Sequence, residues 1–188
     1  VNRGWDQGVR LGVPALIRAL RFLFLTSPVR LFLLCAALCF ALPAAAQESG
    51  IPVGSKAPTA VLKDVNGVSV DLGSIIGKRP VLLEFWATWC SNCKELEPTM
   101  VAIQKTHGRD VAIFAVAVPL NQSLERVKRY VEVNKYPFPM LWDADGEYAG
   151  AFEVPATSYV VLIDKAGKIA YTGLGGKQDL DAAIKKLR

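Results

Sequence analysis

The chain has 188 residues, 52% of them hydrophobic and 21% charged, with a formal net charge of +5. These values exclude a disordered chain and set one globular domain with an appendage as the expectation. Residues 1–46 carry Arg3, Arg10, Arg18, Arg21 and Arg30 against Asp6 alone, five of the 22 basic and one of the 17 acidic residues, so the rest keeps 17 and 16. That nearly neutral remainder has no basic stripe interleaved with aromatics, which argues against nucleic acid as a partner.

Residues Leu31 to Leu42 (LFLLCAALCFAL) form an uncharged apolar run behind Arg18, Arg21 and Arg30, followed by Pro43 and Ala44-Ala45-Ala46. That order is the one of an export signal cleaved after Ala46, and the run is shorter than the ~20 residues of a spanning helix. An uncleaved N-terminal membrane anchor is the competing reading of residues 1–46. Either way the positive flank stays inside the cell, and everything after Gln47 is expected to be extracytoplasmic, in the periplasm or facing outward from a membrane anchor. Cys35 and Cys39 fall in this segment, so the exported part keeps only Cys90 and Cys93.

Residues 47–58 (QESGIPVGSKAP) have the Gly, Pro and Ser content of a linker, placing the domain at 59–188. VLKDVNGVSVDL then reads as a β-hairpin around Asn66-Gly67. VLLEFWA after Pro80 is a strand of buried type, and a helix with Leu96, Met100 and Ile103 on one face ends near His107-Gly108. VAIFAVAV is a second buried strand, and SLERVKRYVEVN is an amphipathic helix with Ser123 as its cap. FPMLW, GEYAGAF, SYVVLID, KIAYTG and DLDAAIKKL complete the series as strand, short helix, strand, strand and helix. Strands alternating with helices and ending in a hairpin and a helix predict an α/β fold with a mixed central sheet flanked by helices.

The chemistry concentrates in Glu84-Phe85-Trp86-Ala87-Thr88-Trp89-Cys90-Ser91-Asn92-Cys93, a buried-type strand running into C-x-x-C at a helix start. A pair three residues apart closes almost no loop and stabilises little, so it is there to react. The thiolate is the nucleophile, and the orphan N–H groups and positive dipole end of a helix stabilise it. Cys90 at the helix edge is therefore the attacking sulfur, and Cys93, one turn further in and deeper, the resolving one. Glu84 is the one local candidate for a base; burial would raise its pKa into a useful range, the alternative being a solvated residue at a strand edge. Trp89, beside Cys90, would shape the substrate surface. His107, the single histidine, reads as a surface residue at a helix C-terminus, which argues against a Cys-His triad or a zinc site.

FWATWCSNC resembles the active-site stretch of the thioredoxin superfamily, most closely its TlpA/ResA-like exported branch, and the resemblance covers residues 51–188. It implies a thioredoxin-like fold with an N-terminal β-hairpin extension, the segment VGSKAPTAVLKDVNGVSVDL being similar to that branch's hairpin. Glu84 falls at the buried acid of thioredoxins and Pro98 at their helix-kinking proline. Pro155 resembles the cis-proline opposite the cysteines, which would present the Val154 backbone to an extended substrate peptide. Ala156 stands where relatives often have Thr, and the distance on to Asp164 is longer than usual, leaving a trans residue entering the strand as the other reading. Leu96 stands where many relatives place an acid three residues after the second cysteine; the flanking Glu95 and Glu97 read as solvated helix charges.

The activity so implied is an extracytoplasmic thiol–disulfide oxidoreductase, a reductant of exported proteins such as apocytochrome c. It would act as a monomer, with a membrane thiol reductase as electron donor. No cofactor is expected beyond the redox-active disulfide Cys90–Cys93, and no metal. Contact with the membrane is expected only through residues 1–46 if they are retained. Two other classes compete. A thiol peroxidase of peroxiredoxin type fits the hairpin front, but Thr88 stands two residues before Cys90 with Trp89 between, whereas that chemistry places Thr three before. A Cu(I)-binding module of similar fold is chemically open to two thiolates, although such modules space their cysteines C-x-x-x-C with a distant His.

Overall fold

The structure, a computed structural model, describes residues 50–187. The candidate export segment and its cysteines lie outside the described residues. Seven strands form one mixed sheet, β1 (Val61–Asp64), β2 (Ser69–Asp71), β3 (Val81–Trp86), β4 (Ala112–Ala117), β5 (Met140–Trp142), β6 (Tyr159–Ile163) and β7 (Ile169–Leu174). Among the described residues four α-helices accompany them, α1 (Ser91–His107), α2 (Leu124–Asn134), α3 (Glu147–Ala151) and α4 (Leu180–Lys185). The strand order is β2-β1-β5-β4-β3-β6-β7.

The apolar run that opens after Pro80 becomes the centre of the sheet. β3 pairs in parallel with β4 and antiparallel with β6, and all six of its residues are buried. A strand covered on both faces needs this continuous apolar pattern. The β1–β2 hairpin adds antiparallel to β5 at one edge. Its turn is tied by Asp64 Oδ1, which accepts from the N–H groups of Asn66 and Val68, and by Gly67 at φ +90°.

Successive residues of β3 face opposite layers. Phe85 meets Tyr148 of α3 and Phe152 just after it, with ring centroids 6.0 and 5.3 Å away. Trp86 meets Tyr130 of α2 on the other face, at 5.6 Å. Glu84 shares that face, between Ala115 of β4 and Val160 of β6. Helix α1 lays the stripe Cys93, Leu96, Met100, Ile103 and His107 into the core.

Two sequence expectations need correction. Residues 51–57 are packed into the domain rather than forming a free linker. Ile51 and Ala57 are buried, and their N–H groups donate to the carbonyls of Phe152 (3.1 Å) and Gly167 (2.9 Å). Gly, Pro and Ser fix an irregular path here without preventing burial. His107 is not a surface residue. It continues the buried stripe of α1, is 7% exposed, and its Nε2 lies 2.8 Å from Asp181 Oδ1 of α4.

Candidate active site at the start of helix α1

β3 ends at Trp86, and four residues later Cys90 becomes the N-cap of α1 in an extended conformation (φ −77°, ψ 115°). Its Sγ accepts the backbone N–H of Cys93 at 3.0 Å. The two cysteines are joined as a disulfide, with Cα atoms 5.3 Å apart. Such a cap fills one of the orphan donor positions of the first turn, where negative charge is favoured. Both cysteines are 5% exposed, so burial does not divide their roles as depth along the helix suggested. What divides them is what each faces: Cys90 caps the helix, whereas Cys93 lines a cavity with Glu84.

Glu84 sits in the middle of the central strand, 5% exposed, and its Oε1 has no hydrogen-bond partner in the protein. Burial, seconded by the nearby charge of Glu97, pushes its carboxyl up to about 8. Loss of hydration disfavours the charged form, and Ala115 and Val160 alongside offer no compensating donor. A carboxyl poised there gives and takes protons near neutral pH.

The loops beside Cys90 are fixed from the β4–α2 connection. Gln122 Oε1 accepts from Thr88 N–H at 2.9 Å, its Nε2 donates to Val118 O at 2.6 Å, and Trp89 Nε1 donates to Leu120 O at 2.8 Å. Trp89 is 39% exposed and Leu120 also lies open, making an apolar rim beside the cysteines. Gln122 carries no motif and was not legible in the sequence as a positioning residue.

The loop before β6 returns to the same end of the sheet, where Ser158 N–H donates to Phe85 O at 2.9 Å. The cis-proline expectation is corrected: the Val154–Pro155 bond is trans, as are all peptide bonds among the described residues. The turn is made instead by left-handed residues on either side, Glu153 (φ 52°) and Ser158 (φ 65°). Val154 N–H closes the end of α3 on Ala149 O at 3.1 Å, so that donor is already used within the chain. Pro155 is exposed.

The two flanking acids divide. Glu95 is exposed and reaches Lys177 at 3.7 Å. Glu97 is not the solvated charge expected: half-buried, it lines the Glu84–Cys93 cavity together with Tyr130 and Tyr136. The signal was present, since Glu97 lies four residues after Cys93 and so on the same helix face. Tyr130 comes from α2 and Tyr136 from the loop after it, and nothing local marks them.

A family model described as Redoxin matches residues 52–186. The chain belongs to the Redoxin family. Among its Redoxin relatives, the thiol-disulfide oxidoreductase ResA of Bacillus subtilis (strain 168) is 34% identical over 151 residues, 79% of this chain and 83% of ResA. A solved thiol:disulfide interchange protein of the thioredoxin family from Chlorobium tepidum TLS is 27% identical with a TM-score of 0.63. It covers 73% of this chain and 98% of its own. The exposed lipoprotein thioredoxin Etrx1 of Streptococcus pneumoniae strain TIGR4 is 30% identical with a TM-score of 0.61, over 69% and 98%. The thioredoxin-like architecture is that of these Redoxin relatives, and this chain is a thiol–disulfide oxidoreductase carrying its redox pair at Cys90 and Cys93.

Proposed function

We propose that the protein reduces disulfides of exported proteins outside the cytoplasm, with Cys90 as nucleophile, Cys93 as resolving thiol and Glu84 as the base for Cys93. The observation that carries the reading is the placement of the two sulfurs: one caps α1, and the other backs onto a buried carboxyl held near 8. The Cys90 thiolate attacks a substrate disulfide, forming Cys90–S–S–substrate and expelling one substrate thiolate. Cys93 gives its proton to the Glu84 carboxylate, and its sulfur attacks Cys90 Sγ. The second substrate thiolate leaves, and two electrons have passed from the cysteine pair, which is now a disulfide.

The export-type segment ahead of the domain supports an extracytoplasmic site of action, and the pair then needs a membrane thiol reductase to restore its electrons. The exposed Trp89 and Leu120 provide an apolar surface for a polypeptide substrate, and the loop of Val154 and Pro155 leads to Ser158 at the same end of the sheet. Apocytochrome c, whose paired cysteines must be reduced before haem attachment, is the substrate to try first.

The reduction potential measured against glutathione tests the direction of electron flow. A reductant is expected below about −200 mV; a value near −120 mV, the poise of a strong oxidant, would overturn the assignment.

A further inference from the structure

Cys93 and Glu84 are each 5% exposed, yet the proposed cycle requires a proton to leave this pair and return to it at every turnover. Behind them lies a cavity of about 20 Å³ lined by Glu84, Cys93, Lys94, Glu97, Tyr130 and Tyr136 together with apolar side chains. One water needs about 10–15 Å³ on this measure, so the cavity has room for one. Glu84 Oε1 has no protein partner. The half-buried Glu97 spans from this interior to the surface.

The tyrosines line the cavity beside Glu97 and are held by ring packing. Their rings stack at 20° with centroids 6.4 Å apart, and both pack on Trp86 at 5.6 and 6.4 Å. Burial, first among the causes, raises both phenols, so they keep their O–H protons next to the Glu97 carboxylate. The remaining walls, Trp86, Ala87, Met100, Phe138 and Met140, carry no titratable group. The one cation is Lys94, which with Tyr130 also borders a surface groove containing Arg126 and Arg129. Glu97 is therefore the acid that bridges the buried pair and solvent.

We propose that Glu97, flanked by Tyr130 and Tyr136 in the cavity it shares with Glu84 and Cys93, is the outer station of a proton path through which that pair exchanges protons with solvent. This rests on the disulfide-exchange reading above. As Cys93 attacks Cys90 Sγ, its proton passes to Glu84 and from there, across one water, to the Glu97 carboxylate and out. The electron pair of the broken S–S bond leaves with the substrate sulfur, so no further oxidant or reductant is needed. Glu97 touches neither sulfur of the scissile bond and acts through Glu84 as a positioning and relay residue.

The test uses the reduced full chain and the aromatic disulfide DTNB, which releases one thionitrobenzoate when Cys90 attacks and a second when Cys93 resolves. Followed against pH, the second release in Glu97→Gln is expected to have its midpoint moved to lower pH, because a negative neighbour of Glu84 is gone. Its plateau is expected to fall about tenfold and to recover with added imidazole. Glu97→Asp should keep the midpoint, and Tyr136→Phe should lower the plateau. An unmoved midpoint in Glu97→Gln overturns the proposal, as does a lower plateau that imidazole leaves unchanged. Should Glu97→Gln not fold, an undiminished plateau in Tyr136→Phe would be equally fatal. A wild-type chain that resolves DTNB with this pH behaviour but reduces no protein disulfide would instead sink the functional reading and leave the relay standing.

Discussion

The backbone N–H of Cys93 donates to Cys90 Sγ at 3.0 Å, so the proposed nucleophile caps the helix that carries its own proposed resolving partner. The positive end of α1 then favours a thiolate at Cys90, while Cys93 shares a cavity with the Glu84 carboxyl, its proposed base. The two thiols are thereby given opposite tasks by one turn of helix.

Unequal trapping follows. Cys93→Ser should leave Cys90 competent to attack but without a partner to release it, so stable mixed disulfides should accumulate in cells. Cys90→Ser should give none. Non-reducing gels of the captured adducts check this, and equal trapping by both variants would contradict the division of labour.

Glu84 makes stability depend on pH. In the unfolded chain its carboxyl titrates at 4.5 and in the folded protein at about 8, so between these values the folded state keeps a proton that the unfolded chain has released. The stability it contributes is fully present below 4.5 and declines as pH rises to about 8, by about 1.4 kcal/mol per pH unit at most. Glu84→Gln is therefore expected to be more stable than wild type by several kcal/mol at pH 9, with the gap closing toward pH 4.5. Denaturant melts across that window measure it; a gap independent of pH would mean Glu84 is not buried as a neutral acid.

Gln122 ties the active-site loop to the β4–α2 connection through both ends of its amide. Gln122→Ala leaves Thr88 N–H without that acceptor and should cost about 1–3 kcal/mol. Because the rim of Trp89 and Leu120 shifts with this loop, reduction of a protein disulfide should slow several-fold while the first DTNB phase stays near wild type. Stopped-flow rates with the two substrates separate these outcomes.

His107 joins α1 to α4 through Asp181, whose carboxyl is drawn below its usual range by hydrogen bonds from Lys185 and then His107. His107→Ala should lower stability by about 1–3 kcal/mol, combining a lost hydrogen bond with a void in the core. Resolution by Cys93 should be unaffected, since His107 ends the helix that the cysteines begin. Thermal melts and the second DTNB phase report the two quantities independently.

Most of the sheet and the redox pair were legible because they are written in local order: alternating runs, continuous apolar strands and C-x-x-C at a helix start. Glu84 was legible because a charge inside an apolar strand stands out. His107 and Glu97 read as surface groups by their polarity, yet both continue the 3–4 spacing of the buried stripe from Cys93, and in this helix position outweighs polarity. Tyr130 and Tyr136 could not be found at all, because their place beside Glu97 depends on how α2 and the loop after it pack over β3. The packed course of residues 51–57 was hidden for a related reason, since its hydrogen bonds go to Phe152 and Gly167, far along the chain.

The central claim is that Cys90 is held as an anion at the mouth of α1, and the alkylation rate of reduced Cys93→Ser by iodoacetamide across pH tests it most directly. The account predicts a midpoint well below the ~8.5 of free cysteine, with fast modification still present at pH 6. A midpoint at or above the free-cysteine value would contradict it.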